Sequence, residues 1–150
     1  DSLDNLDDVE PITLADLLQS AVLDIWHPAQ QAGIDIRLIN HAPQVKRQGQ
    51  PLLLSLLVRN LLDNAIRYSP RGSVVDVTLD ARSFSVRDNG PGVDPEVLAR
   101  IGERFYRPPG QNATGSGLGL SIVRRIAALH GMRVSLSNAA EGGFEVKVSW

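Results

Sequence analysis

Three polar side chains lie along one stripe of a leucine-rich segment at residues 51–69. On a helix each residue advances by about 100°, so Asn60, Asn64 and Arg67 fall within a narrow band. Leu53 and Leu56 continue that band toward the start of the helix. We therefore expect one side of the helix to pack in the core through leucines at its beginning and to carry asparagines where it emerges from the core. Carboxamide oxygens are hard, neutral ligands that suit Mg²⁺, which takes its other oxygens from water and phosphates. The alternative is that both asparagines cap or bridge neighbouring backbone.

A second candidate is the segment DNGPG at residues 88–92, which follows a predicted strand. Glycine at positions 90 and 92 lets a ring or a phosphate approach the backbone, because Gly90 and Gly92 have no Cβ. The carboxylate of Asp88 could accept a hydrogen bond from an exocyclic amine. A plain Asp-Gly turn is the alternative.

The segment GSGLGLS at residues 115–121 opens an amphipathic helix. Backbone amides of a glycine loop and the positive end of a helix dipole together favour phosphate. Helix capping by Thr114 and Ser116 is the alternative. A dinucleotide-binding fingerprint is rejected, since it needs a buried strand directly before the glycines and the preceding residues are RPPGQNAT.

Between the two glycine segments lies GERFYRPPG, in which Arg104 and Arg107 could pair with phosphate oxygens. Phe105 and Tyr106 could anchor the segment to the body of the domain. Solvated arginines and an aromatic core plug are the alternative. Residues 90–116 show no strand pattern and are rich in Gly and Pro, which predicts a long functional loop with at most one short helix, at 93–102.

Three helices and about five strands are predicted to position these groups. Helical periodicity indicates helices at 15–31, 51–69 and 119–131, and alternation indicates strands at 34–40, 73–81, 83–88, 132–139 and 142–150. The strands at 73–81 and 83–88 are predicted to form one hairpin, and those at 132–139 and 142–150 a second. Residues 11–13 are strand-like, and 41–49 form a loop or a short strand. Gly33 and Gly131 end helices. The order of elements predicts an α+β fold, a two-layer sandwich with three helices on one face of a mixed, mostly antiparallel sheet.

Composition narrows the functional classes. The 150 residues include 15 Lys and Arg against 17 Asp and Glu, a net charge of −2. The sequence therefore lacks the excess of positive charge that is typical of nucleic-acid-binding domains. The absence of cysteine excludes disulfides and thiolate metal sites. No apolar run reaches the roughly 20 residues that span a bilayer, so we expect membrane attachment only through segments that precede this sequence.

Taken in order, NLLDNA, DNGPG, ERFYR and GSGLGLS resemble the four sequence boxes of sensor histidine kinases. The sequence is similar to their catalytic ATP-binding domain, which has the GHKL or Bergerat fold that gyrase and MutL share. The resemblance covers about residues 10–150, with residues 1–9 similar to the end of the preceding dimerisation helix. It implies the cytoplasmic domain of a bacterial inner-membrane protein.

The resemblance also implies a role for each matching residue. Asn64 would coordinate Mg²⁺ that bridges the ATP phosphates, with Asn60 close by; Arg67 would contact phosphate, and Tyr68 would lie beside the adenine. Asp88 would accept from the adenine amino group, and Gly90 and Gly92 would frame the pocket. A lid at about 92–117 would be hinged by Gly115, Gly117 and Gly119, with Ser116 beside the phosphates and Leu118 packed beneath. Arg104 and Arg107 would be lid contacts with the γ-phosphate.

One departure from the wider fold bears on the reaction. ATPases of this superfamily carry a water-activating glutamate four residues before the metal-binding asparagine, and here that residue is Asn60. The resemblance therefore implies slow hydrolysis and transfer of the γ-phosphate to a histidine. His27, His41 and His130 do not fit the family's acceptor pattern; we expect His27 and His41 to be surface or partly buried residues, and His130 to place a partial positive charge at a helix C-terminus.

The acceptor would therefore be a histidine on the dimerisation domain of the parent homodimeric kinase, with a response regulator downstream. An ATP-gated binding module and a serine-directed kinase of the anti-sigma type are the alternatives within the same fold.

Overall fold

The computed structural model describes residues 6–90, 119–139 and 142–150. Its elements are β1 (Glu10–Thr13), α1 (Leu14–Gln31), β2 (Asp35–Asn40), β3 (Lys46–Gly49), α2 (Pro51–Tyr68), β4 (Val74–Asp80), β5 (Ser83–Asp88), α3 (Gly119–Leu129), β6 (Arg133–Asn138) and β7 (Phe144–Ser149).

Five strands form one mixed sheet in the order β2-β4-β5-β7-β6. The β2–β4 pair is parallel, and the other three pairs are antiparallel. Both predicted hairpins are present, at β4–β5 and at β6–β7. The strand-like segment before α1 and part of the segment predicted as loop or short strand pair with each other, as a separate antiparallel sheet of β1 and β3. The predicted fold class is confirmed, with this small sheet added.

The helices bury their apolar faces in a single core with the sheet. For α2 that face consists of Leu54, Leu57, Val58, Leu61 and Leu62, each at most 2% exposed. The expectation that Leu53 and Leu56 lead the asparagine stripe out of the core is wrong, because Leu56 is 46% exposed and Leu53 is half-buried. The five buried residues lie on another side of the helix, so the asparagine stripe follows its flank.

Glycines end α1 and α3 as predicted. Gly33 has φ 72° and Gly131 has φ 68°, a left-handed conformation that glycine adopts without a Cβ penalty. After each glycine the chain bonds back to its helix, from the Ile34 N–H to the Ala29 carbonyl and from the Met132 N–H to that of Ala127. These turns send the chain directly into β2 and β6.

The helix-facing side of the sheet carries one carboxylate at its end. Val75, Val77 and Leu79 of β4 are fully buried, and their antiparallel partners on β5 are Asp88, Val86 and Phe84. Partners across an antiparallel pair lie on the same side. Asp88 therefore closes an otherwise apolar row, at the edge of the core.

The opposite side of the sheet is polar. Asp76 of β4 accepts two hydrogen bonds from the Arg37 guanidinium of β2, at 2.7 and 2.9 Å, and lies 3.4 Å from Nη2 of Arg87 of β5. The hydrogen bond from Arg37 lowers the pKa of Asp76, with the charges of both arginines adding to the effect against the burial of the carboxyl. These side chains join three neighbouring strands on the face without helices.

Within the described part of the chain, none of the helices has the length and apolar character required to cross a membrane.

Candidate functional site

Three segments meet at one end of the sheet. The carboxyl end of β5 bears Asp88, and α2 ends close to it, since a Cβ placed on Gly90 would lie 3.4 Å from Cδ of Pro70. The first residue of α3, Gly119, packs against Asn64 near the end of α2. The structure thus places Gly119 against Asn64, 55 positions away in the sequence, and the turn after Asp88 against Pro70, which follows the end of the same helix.

Asp88 is held by two backbone donors on the same oxygen. Its Oδ1 accepts from the N–H of Gly90 at 2.8 Å and from the N–H of Phe144, at the start of β7, at 3.3 Å. Among the described residues Oδ2 forms no hydrogen bond. The carboxylate is half-buried. One oxygen therefore fixes the orientation of the group, and the other can accept a hydrogen bond from a ligand.

The turn after Asp88 is tied to the neighbouring strand. Oδ1 of Asn89 accepts from the N–H of Val74 at 2.9 Å. The same turn contacts the α2–β4 connection at Pro70. It is more than a free Asp-Gly turn, because the Asn89 side chain joins it to β4 and its Gly90 lies against Pro70, just beyond α2.

Gly119 leaves the space that the Asn64 carboxamide occupies. A Cβ at Gly119 would lie 2.8 Å from Nδ2 and 3.0 Å from Oδ1 of Asn64. Asn64 is half-buried, and it makes no side-chain hydrogen bond with the described residues. The polar atoms of this carboxamide, which packs against Gly119 of α3, are therefore available to a ligand.

The other predicted site residues of α2 differ in their hydrogen bonds and in their exposure to solvent. Nδ2 of Asn60 donates to the Leu56 carbonyl at 2.8 Å, which is the backbone-bridging alternative stated above. Arg67 is exposed on the last turn of α2, and Tyr68 beside it is half-buried. Both lie at the same end of the sheet as Asp88.

Two of the three histidines lie on the surface, and the third is buried. His27 is exposed on α1, and exposed His41 lies with Nδ1 2.9 Å from Oδ1 of Asp80. His130 is 1% exposed; its Nε2 accepts from the Gln50 N–H at 3.1 Å, and its Nδ1 lies 2.8 Å from the Ile126 carbonyl. Because Nε2 accepts, Nδ1 is the nitrogen that carries the proton, and it donates to the Ile126 carbonyl in the last turn of α3. The expected partial positive charge at this helix C-terminus is that of the Nδ1–H group.

Several predicted site residues lie outside the described residues. They are Gly92, Arg104, Arg107, Gly115, Ser116, Gly117 and Leu118, together with the predicted lid and its short helix, and residues 1–5 of the predicted N-terminal remnant.

The contribution of the β6–β7 turn to the site was not predicted from the sequence. It contributes the N–H of Phe144 to Asp88, and its Gly143 is buried against the backbone of Asp88. The pair of glycines at 142 and 143 was the available signal, but a hairpin turn accounts for them equally well.

A metal ion at this site would need oxygens from a ligand. Within the ranges that the structure describes, no group of three or more His, Asp or Glu could hold one. The unpaired carboxamide of Asn64 is a suitable donor for Mg²⁺ when phosphates complete the coordination. The residues present thus fit Mg²⁺ bound together with a nucleotide.

Comparison with known protein families gives one match that spans most of the chain. The model of the histidine kinase-, DNA gyrase B- and HSP90-like ATPases matches residues 49–150. The chain belongs to this family. Its predicted membership in the GHKL fold is thereby confirmed.

Named relatives place the chain among sensor histidine kinases. It is 78% identical over all 150 residues to Sensor protein QseC of Salmonella typhimurium, of which it spans 33%. Among solved structures, the cytoplasmic segment of histidine kinase QseC is 61% identical with a TM-score of 0.79, covering 100% of this chain and 82% of that one. Full-length ShkA in complex with AMPPNP is 29% identical with a TM-score of 0.81, covering 93% and 30%.

These findings establish the chain as the ATPase domain of a sensor histidine kinase, with QseC among its similar proteins. The chain spans about a third of the length of that curated relative.

Proposed function

We propose that this domain binds Mg-ATP and donates the γ-phosphate to a histidine on the dimerisation domain of its parent kinase. The observation that carries the proposal is that two segments contact the C-terminal part of α2: Gly119 packs against Asn64, and the turn after Asp88 lies against Pro70. A hydrogen-bond acceptor fixed by the backbone and an unpaired carboxamide beside a helix N-terminus suit the two ends of a nucleotide. The structure of the relative ShkA contains AMPPNP, which supports nucleotide binding by this family.

At the base end, Oδ2 of Asp88 accepts from the adenine amino group. Oδ1 is already occupied by the N–H groups of Gly90 and Phe144, so the carboxylate is oriented before the nucleotide arrives. Gly90 and Gly92 let the base approach the backbone. Tyr68, half-buried on the last turn of α2, lies beside the adenine.

At the phosphate end, Asn64 would hold Mg²⁺ together with phosphate oxygens, and Asn60 lies one helical turn away. Bound Mg²⁺ would neutralise phosphate charge in a transfer that depends chiefly on positioning and electrostatics. Exposed Arg67 and the N-terminus of α3 contribute positive potential. The proposed lid contacts are Arg104, Arg107, Gly115, Ser116, Gly117 and Leu118.

The chemistry of residue 60 favours transfer over hydrolysis. Asn60 is a carboxamide whose Nδ2 donates to its own helix, and a carboxamide does not act as a general base toward water. ATP therefore persists until a stronger nucleophile arrives.

That nucleophile comes from outside this chain. His27 and His41 lie on the surface outside the site, His130 is buried, and none is placed beside Asn64. The partner is the dimerisation and histidine phosphotransfer domain of the parent homodimer, and a response regulator receives the phosphate next. We place the domain on the cytoplasmic side of a bacterial inner membrane, as in the cytoplasmic segment of the relative QseC.

Calorimetric titration with AMPPNP, with and without Mg²⁺, tests the binding part of the proposal. Wild type should bind, and Mg²⁺ should strengthen binding. Asn64→Ala should remove the Mg²⁺ dependence, while Asn40→Ala serves as the matched control, because Asn40 is exposed at the far end of β2, opposite Leu79 rather than Val75. Loss of the thermal transition in Asn64→Ala would instead assign that asparagine to the fold.

A further inference from the structure

The turn between β6 and β7 lies directly on the carboxyl end of β5. Gly143 is buried, and a Cβ there would overlap the carbonyl oxygen of Asp88 and lie 3.2 Å from Cα of Asn89. The atoms that it would meet are backbone, which cannot rotate away as the end of a side chain can. Close approach of two backbones is what a missing Cβ permits.

The turn is held in place on both sides. The N–H of Ala139 donates to the Gly143 carbonyl at 2.9 Å, and the N–H of Gly142 donates to the Ala139 carbonyl at 3.0 Å. On the other side, β7 pairs with β5 through Glu145 and Arg87. Gly143 thus has little freedom to withdraw from Asp88.

This contact bears on the orientation of the Asp88 carboxylate. The N–H of Phe144, next to Gly143, donates to Oδ1 of Asp88 at 3.3 Å, which is already long for a hydrogen bond. Any displacement between the turn and β5 would break that bond first. The carboxylate would then be fixed by the N–H of Gly90 alone, which moves with it on the same turn.

We propose that Gly143 and the N–H of Phe144 are positioning elements of the nucleotide site that set its preference for adenine, by fixing the direction in which Asp88 presents Oδ2. This inference rests on the proposed function, in which Asp88 binds the amino group of the base.

The neighbouring glycine provides a matched control. Gly142 and Gly143 have φ values of 100° and 97°, so replacement by alanine places both in a conformation that L residues rarely adopt. Among the described residues, the one atom near a Cβ at Gly142 would be the Gly90 carbonyl oxygen, at an ordinary 3.8 Å. The two variants share the backbone strain, and only one displaces Asp88.

The experiment is calorimetric titration of wild type, Gly142→Ala and Gly143→Ala with Mg-ADP and Mg-IDP, since inosine has a carbonyl oxygen in place of the amino group. Wild type and Gly142→Ala should prefer ADP. Gly143→Ala should lose about tenfold in ADP affinity with IDP affinity nearly unchanged, as expected for a lost hydrogen bond to a charged group. In an Asp88→Asn background, Gly143→Ala should have little further effect on ADP affinity.

Equal preference for ADP in all three proteins would overturn the inference, as would an equal loss in both alanine variants. Wild type that binds both nucleotides equally would refute base reading by Asp88 and this inference with it, whereas wild type that binds neither would refute the proposed function. If Gly143→Ala does not fold, the backbone amide NMR resonances of wild type provide the test. The resonances of Gly143 and Phe144 should shift more on binding of ADP than on binding of IDP. Equal shifts, or none, would overturn the inference.

Discussion

Replacement of Asp88 by asparagine should remove most nucleotide affinity while the fold remains. The carboxamide oxygen can take the place of Oδ1 and accept from the N–H groups of Gly90 and Phe144, which the structure places 2.8 and 3.3 Å away. The amide nitrogen then replaces Oδ2. A donor would therefore face the donor of the adenine amino group.

The magnitude follows from these contacts. Loss of a hydrogen bond to a charged acceptor costs about 1.5–3 kcal/mol, and leaving the donor of the base unpaired adds about 1 kcal/mol. The sum corresponds to a loss of roughly 50- to 1,000-fold in affinity for ADP. The free energy of unfolding should fall by less than about 1 kcal/mol, because both backbone donors keep an acceptor.

Calorimetric titration with Mg-ADP and Mg-IDP, together with urea unfolding, measures both quantities. The asparagine amide can donate to the carbonyl of inosine, so the preference for ADP should disappear or invert. Asp80→Asn is the control, since it makes the same change in charge at the opposite end of β4, on an exposed residue. Wild-type ADP affinity in Asp88→Asn would refute the reasoning, as would a loss of stability large enough to explain the lost binding.

Three further outcomes are expected. Gly119→Ala should lower Mg-nucleotide affinity by about tenfold with stability unchanged, because its Cβ would displace Asn64; unchanged affinity would show that the carboxamide is not needed there. His130→Ala should cost about 2–4 kcal/mol in urea unfolding, and His130→Gln should cost less because its amide oxygen can still accept from the backbone; equal costs would contradict this. Because the pKa of Asp76 is lower in the folded protein than its ordinary value of 3.8, the ionised carboxylate stabilises the fold at any pH above 3.8. This stabilisation is lost as the pH falls through the lowered pKa. Asp76→Asn should therefore unfold at lower urea than wild type at pH 7, and the gap should narrow below about pH 3.8; a constant gap would contradict the assignment.

The sequence predicted local structure well where one segment carries its own signal. Gly33 and Gly131 ended helices as expected, because a left-handed residue after a helix needs no distant partner. The alternation of β4 and β5 likewise predicted their hairpin.

The sequence predicted poorly those features that depend on contacts between distant segments of the chain. Which side of α2 faces the core depends on how α1, α3 and the sheet surround it, and the prediction therefore placed exposed Leu56 wrongly. His130 accepts from Gln50, 80 residues away, and Arg37 binds Asp76 39 residues away. No local pattern shows these partners, because each depends on strand order and helix packing.

The candidate site was predicted in part. The segments around Asn64, Asp88 and Gly119 were predicted from residue types and from a family resemblance. In the structure Gly119 packs against Asn64, and the turn after Asp88 lies against Pro70, just beyond the same helix. The part played by Gly143 and Phe144 required the register of β7 against β5, which the sequence does not specify.

The most direct experiment supplies this chain with γ-labelled ATP, Mg²⁺ and the dimerisation domain of its parent kinase. We predict label on that domain, in a bond that survives base and is lost in acid, as a phosphohistidine is. Asn64→Ala should transfer none. Label that survives acid would indicate a serine acceptor. Rapid release of phosphate by the chain alone would indicate an ATP-gated module, and either result would contradict the account.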